Sequence, residues 1–195
     1  NAILLAEKLG VPVVNTFSGC PGGSPEDKTP NWVTCPWPDD FSEILEYQWN
    51  DVLIPYWKEK VAFAKAHNVH KIALELHPGF CVYNTRSLLK LREAVGPEIG
   101  ANLDPSHLIW QGMDLIAVIR ELGKANAIFH FHAKDTKVDA INTAVNGVLD
   151  TQHYSEELTR SWIFRSVGYG HGEDYWKAIA SELRLAGYDY AISIE

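Results

Sequence analysis

Clusters of lysine and arginine are missing from this chain, and with them the electrostatic footprint of a nucleic-acid surface. Seventeen basic residues face 25 acidic ones, a formal net charge of −8, so nucleic acid is not an expected partner. Apolar runs long enough to cross a bilayer are also missing, and the opening Asn1-Ala2-Ile3-Leu4-Leu5-Ala6-Glu7-Lys8 meets charge too early for a secretory leader. No membrane partner is expected. Cysteine is scarce: Cys20, Cys35 and Cys81 form an odd set without close metal-type spacing, which reads as free thiols in a reducing, cytoplasmic setting. No strand is followed by the glycine-rich turn that cradles nucleotide phosphates. What is present is 195 residues with 46% hydrophobic content, enough for one domain with a real core. The chain begins with Asn and ends on the apparently functional Glu195, so a piece of a longer protein is expected.

Taken in order, residues 2–9 read as a helix stopped by Gly10, and residues 11–17 as a strand. Residues 18–41 are rich in Gly, Pro, Ser and Asp and carry Trp32 and Trp37, the composition of either a lid-like loop or a surface plug. A helical pattern from Ser42 to about His67, interrupted at Pro55, precedes a strand over 71–77 and a helix over 85–95. A strand opens at Ile99. Asp114 caps a helix in which Leu115, Val118, Ile119 and Leu122 share one face, and a strand over 127–133 follows. Residues 136–170 lack regular patterning and read as an inserted active-site loop. The helix over 173–186 and the strand over 190–195 complete the list. Strict alternation implies parallel strands with helical crossovers. With no nucleotide turn, a (β/α)8 TIM barrel is expected, of which five strands are counted here, with the N-terminal units and the final helix absent. Open sheet edges predict that residues 1–195 alone do not fold stably.

Side chains alternate along a strand, so the facing of each strand end can be read from the sequence. Ile72, Leu74 and Leu76 oppose Ala73, Glu75 and His77. Ile99, Ala101 and Leu103 oppose Asn102 and Asp104; Phe129, Phe131 and Ala133 oppose His130, His132 and Lys134; Ile192 and Ile194 oppose Ser193 and Glu195. Glu75, Asp104, His132 and Glu195 thus share the face away from the bulky residues, which in a barrel is the axial face leading to the active site. Three carboxylates gathered there would repel one another unless a cation neutralised them. Oxygen donors with one imidazole suit one divalent ion, Mn²⁺ first, with Mg²⁺, Co²⁺, Zn²⁺ and Fe²⁺ as alternatives. His130 reads as a hydrogen-bonded core residue.

Glu75, Asp104-x-x-His107, His130-x-His132-x-Lys134-Asp135 and Gly187-Tyr188-Asp189 leading to Glu195 resemble the sugar phosphate isomerase/epimerase family of xylose-isomerase-like TIM barrels. Relatives there include ketose 3-epimerases and inosose dehydratases. The resemblance runs from the strand at Val11 to Glu195 and implies barrel strands four to eight. It implies Glu75, Asp104, His132 and Glu195 as metal ligands, Glu75 and Glu195 as the catalytic acid/base pair, and His107, Arg165 and His77 as substrate contacts. The chain departs from the ketose 3-epimerases at Cys81, where they carry a second glutamate, and in the long segment between His132 and Arg165. The implied activity is isomerisation or epimerisation of a keto-sugar or related polyol, by proton abstraction next to a carbonyl through a metal-stabilised enediolate. The alternative is a lyase, inosose dehydratase-like or keto-glycoside-cleaving. A non-catalytic sugar-binding barrel and an apurinic-site endonuclease fit less well. A small carbohydrate is the expected ligand, and a homo-oligomer suits the architecture.

Overall fold

Glycines and capping side chains decide where this chain turns. In the computed structural model, which describes residues 1–195, α1 (Ala2–Leu9) ends at Gly10, held at a φ of 67° that lacks a steric penalty only for glycine. After β1 (Val13–Thr16) the chain carries no helix or strand until α2 (Asp39–Tyr47). Gln48–Leu53 then winds as a π-helix and runs into α3 (Ile54–Ala66), with Pro55 in its first turn. The expected interruption at Pro55 therefore lies one turn earlier. Proline has no N–H to donate and its ring crowds the carbonyl four residues back, so a wider turn upstream lets the helix continue.

β2 (Lys71–Glu75) ends two residues short of the expected His77, because Pro78 follows and cannot extend a ladder. Asn84 opens α4 (Thr85–Val95) with a reciprocal cap: its side chain accepts the Ser87 N–H at 2.9 Å, and Ser87 Oγ accepts the Asn84 N–H at 3.1 Å. Next come β3 (Ile99–Leu103), a short α5 (Pro105–Ile109) absent from the sequence reading, and α6 (Leu115–Lys124). Asp114 caps α6 as expected, and Leu115, Val118, Ile119 and Leu122 are all buried. β4 (Ile128–Ala133) follows.

Residues 136–170 carry more order than their composition suggested. β5 (Asp135–Val138), α7 (Ala140–Asn146) and β6 (Trp162–Arg165) occupy much of the segment, β5 and β6 pairing antiparallel with Asp135 opposite Arg165. Their partners are 24 or more positions apart in sequence, beyond the reach of a local turn signal. α8 (Glu173–Leu185) and β7 (Ile192–Ile194) end the chain.

The strands form a five-stranded sheet of order β1-β2-β3-β4-β7 and a two-stranded sheet, β5-β6. β1 and β2, β2 and β3, and β4 and β7 run parallel, with Glu75 opposite Asn102 and His132 opposite Ser193. This is a TIM-barrel-like α/β arrangement. Every residue of β3 is buried, the state of a parallel strand covered on both faces. β7 differs: Ile192 and Ile194, expected under helices, are 53% and 82% exposed, since β7 is an edge strand. No helix is long and apolar enough to cross a membrane.

The chain forms two compact units, residues 1–103 with 126–130, and residues 104–125 with 131–195. The first is built on Trp57, Val61 and Ala64 of α3, Leu88 and Leu91 of α4, and the strand residues Leu74, Ile99 and Leu103, all buried. In the second, α6 lies on α8. Gly123 allows the close approach, since a Cβ there would stand 2.7 Å from that of Ala186, and Arg120 grips Glu182 with two bonds of 2.7 and 3.0 Å.

Candidate active site

Asp104 has two roles, one for each carboxylate oxygen. As the N-cap of α5 it accepts the Ser106 N–H through Oδ1 at 2.9 Å, with Pro105 supplying the fixed φ of a first helical turn. Oδ2 is fully buried and receives no hydrogen bond. The turn of α5 returns His107 so that its Nε2 stands 3.3 Å from that oxygen, and His132 Nδ1 stands 3.9 Å away. Burial pushes the Asp104 carboxyl above its ordinary range, opposed by His107, the Ser106 bonds and Lys134.

His132, at the end of β4, also reaches Glu195: Nδ1 and Oε1 are 3.2 Å apart, and Lys134 Nζ meets Oε2 at 3.1 Å. The second unit thus gathers Asp104, His107, His132 and Glu195. Lys134, absent from the expected site, stands over the Phe164 ring at 4.8 Å, and the same ring meets His107 edge-on at 5.3 Å. Its signal was there: Lys134 shares the strand face of His132.

A buried carboxylate oxygen without a donor is costly, on the order of 1–3 kcal/mol or more for a charged group. A divalent cation would remove that cost, and two carboxylates with one imidazole are donors such ions accept. Asp104, His132 and Glu195 therefore fit a metal.

Glu75 and His77 belong to the first unit. Glu75, at the end of β2 and 9% exposed, accepts a hydrogen bond from Asn102 Nδ2 at 3.2 Å, the residue opposite it in the β2–β3 register. His77 Nδ1 contacts the Pro78 carbonyl at 2.6 Å, and its ring stands edge-on to Phe17 and Phe80. His130 is half-buried.

Arg165 lies on β6 with its guanidinium paired to Glu157 and to its neighbour's carbonyl on Phe164, so in this conformation it does not join the ligand cluster. The segment after it is organised by Asp135, a residue whose role the sequence did not disclose. Its buried carboxylate accepts the N–H groups of Gly168, Gly170 and His171 and the indole N–H of Trp176.

A family profile described as the xylose isomerase-like TIM barrel matches residues 1–195. The chain belongs to that family. The uncharacterized protein YfiH of Bacillus subtilis (strain 168) is 47% identical over 193 residues, covering 98% of this chain and 61% of that protein. The chain therefore spans about three fifths of that relative's length. Among solved structures, the probable 3-DHS dehydratase of Bacillus anthracis aligns with a TM-score of 0.63 at 20% identity, covering 99% of this chain and 60% of that one. Mannonate dehydratase from Streptococcus suis serotype 2 aligns at 0.59 and 13%, covering 99% and 59%. A xylose isomerase-like TIM barrel protein from Mycobacterium smegmatis, in complex with magnesium, aligns at 0.60 and 16%, covering 99% and 57%. At these identities the structural likeness shows a shared fold.

Proposed function

We propose that this chain is part of a divalent-metal-dependent sugar isomerase or epimerase that abstracts a proton next to the carbonyl of a keto-sugar or related polyol. The observation that carries the reading is Asp104 Oδ2, buried without a hydrogen bond beside His107 and His132, with Glu195 on the other side of His132. Glu75 is assigned to the same ligand set from its register: it pairs with Asn102, two residues before Asp104 along the chain. Glu75, Asp104, His132 and Glu195 would hold one Mn²⁺ or Mg²⁺. Such an ion, when bound, supplies Lewis-acid polarisation of a carbonyl oxygen.

The remaining chemistry belongs to side chains. One of Glu75 and Glu195 removes the α-proton as general base, and the other returns a proton as general acid. Return to the opposite face of the same carbon gives an epimer; return to the neighbouring carbon gives an isomer. Lys134 fixes the Glu195 carboxylate through its 3.1 Å contact, and His107, oriented by Asp104, donates to a substrate oxygen. Arg165 and His77 are assigned further substrate contacts. The loop over 18–41, with Trp32 and Trp37, is assigned as a lid, and residues 136–170 as the insert that shapes the mouth of the site.

A lyase is the second reading, favoured by Cys81 in place of a second glutamate and by the two dehydratases among the structural neighbours. The same proton abstraction followed by loss of a β-substituent would give dehydration or deglycosylation. Full-length protein supplied with Mn²⁺ in D₂O, and offered ketoses, keto-inositols and 3-keto-glycosides, separates the two. Solvent deuterium in an epimer or isomer supports the first; loss of water or aglycone supports the second. Absence of both exchange and product would refute the catalytic reading.

A further inference from the structure

The loops that follow β1 and β2 are stitched together by short-range contacts. Phe17 stacks on Phe80 with ring centroids 4.7 Å apart, the Val82 N–H donates to Ser18 Oγ at 3.0 Å, and the Cys81 N–H donates to the Gly19 carbonyl at 3.0 Å. The last contact sets the residue that precedes Cys20 directly against Cys81, so the two cysteines are neighbours across the paired loops. The two differ in access. Cys20 is half-buried and lines an open cavity of about 310 Å³ with Phe17, Val52 and Tyr56, whereas Cys81 is 6% exposed. Cys35 is exposed.

We propose that Cys20 and Cys81 are a reversible dithiol–disulfide pair that staples the tryptophan-bearing loop after β1 to the loop following Glu75 and His77. Accessibility assigns Cys20 as the attacking thiol and Cys81 as the resolving one. The electrostatics agree: the neighbouring Cys81 thiol holds the Cys20 thiol down to about 7, while Cys20 and burial push Cys81 up.

The oxidant is a low-molecular-weight disulfide such as oxidised glutathione. The Cys20 thiolate attacks one of its sulfurs, its S–S bond breaks, and one glutathione thiolate leaves and takes up a proton. Cys81 then gives up its proton and attacks Cys20 Sγ, expelling the second glutathione. Two protein thiols lose two protons and two electrons, and one glutathione disulfide becomes two thiols. Once Cys20 is in the mixed disulfide it no longer carries the charge that disfavours ionisation of Cys81, so the second step follows the first.

The test uses the unaltered full-length protein, equilibrated with oxidised glutathione, quenched by alkylation and digested without reduction. The expected product is a peptide pair joined through Cys20 and Cys81, lighter by two hydrogens than the reduced peptides, with Cys35 still alkylated and both thiols restored by dithiothreitol. In Cys81→Ser, glutathione should remain on Cys20. A lasting glutathione adduct on Cys20 in the unaltered protein, a link through Cys35, or three free thiols would each overturn the proposal. None of these readouts depends on the metal site or on catalysis.

Discussion

His171 Nδ1 lies 2.8 Å from Asp135 Oδ1, and the Asp135 side chain is wholly shielded from solvent. Oδ1 also takes the Thr136 N–H, while Oδ2 collects Gly168, Gly170, His171 and Trp176. One carboxylate therefore fixes the loop between β6 and α8 against the start of β5, three residues beyond His132. Asp135→Ala would strand several buried donors, and a loss of about 3 kcal/mol is expected in denaturant unfolding, since hydrogen bonds to a charged group contribute roughly 1.5–3 kcal/mol each and are not additive. Amide exchange at Gly168 to His171 should accelerate in the variant. A loss below about 0.5 kcal/mol, the range of ordinary surface substitutions, would refute the anchoring role.

The same anchor has a pH signature. Burial pushes the Asp135 carboxyl up, but the bonds from the His171 side chain and N–H, from Trp176 and from Thr136 outweigh it and hold the group below its ordinary value. With the folded value depressed, the unfolded chain binds the proton first as pH falls. The stabilisation is complete above the unfolded carboxylate value, about 3.9, and is lost as pH drops through the lower folded value. The stability gap between the unaltered protein and Asp135→Asn should therefore narrow on acidification below about pH 4. A gap that widens there would contradict the assignment.

Asp104 offers the opposite case, a buried oxygen that costs stability while it lacks a hydrogen bond. Asn is as good an N-cap as Asp, so Asp104→Asn keeps the Ser106 bond and removes the buried charge. In chelator, the variant should melt within about 1 kcal/mol of the unaltered protein, or above it. Added Mn²⁺ should raise the melting temperature of the unaltered protein, by the equivalent of about 2.7 kcal/mol at a hundredfold excess over Kd, and leave the variant nearly unmoved. Equal metal-induced shifts in both proteins would remove Asp104 from the ligand set.

What the sequence disclosed and what it withheld follow the range of the interactions involved. Helix ends set by adjacent residues were legible, as at Gly10 and Asp114, because a cap and its partner lie within one turn. Strand alternation, from which one face was expected for Glu75, Asp104, His132 and Glu195, is equally short in range, and Asp104, His132 and Glu195 lie together in the second unit. Roles fixed by distant partners were not. Asp135 Oδ2 draws its donors from 33 to 41 positions downstream, and Gln48, buried at 1%, uses its amide to hold the carbonyls of Pro21 and Asn31 at 2.7 Å each. No periodicity marks such residues. The α5 helix escaped notice because five residues are too few to display a repeat.

Gly100 provides a last test, of packing rather than of polar chemistry. It sits mid-strand in β3, where glycine ordinarily weakens a sheet, and its reason is Phe129: a Cβ at 100 would overlap that ring. The ring has little room to retreat, since it is 6% exposed and the charged groups of Arg92 and Lys71 lie over it at 5.7 and 5.8 Å. Gly100→Ala should therefore cost about 1–3 kcal/mol, the range for overpacking, despite the better strand propensity of alanine. Phe129→Leu alone should also destabilise, through the lost ring. Combined, the two should be less damaging than the sum of their separate costs, because the smaller side chain vacates the space that the new methyl needs. Strict additivity in denaturant unfolding would mean that Phe129 is not what requires a glycine at position 100.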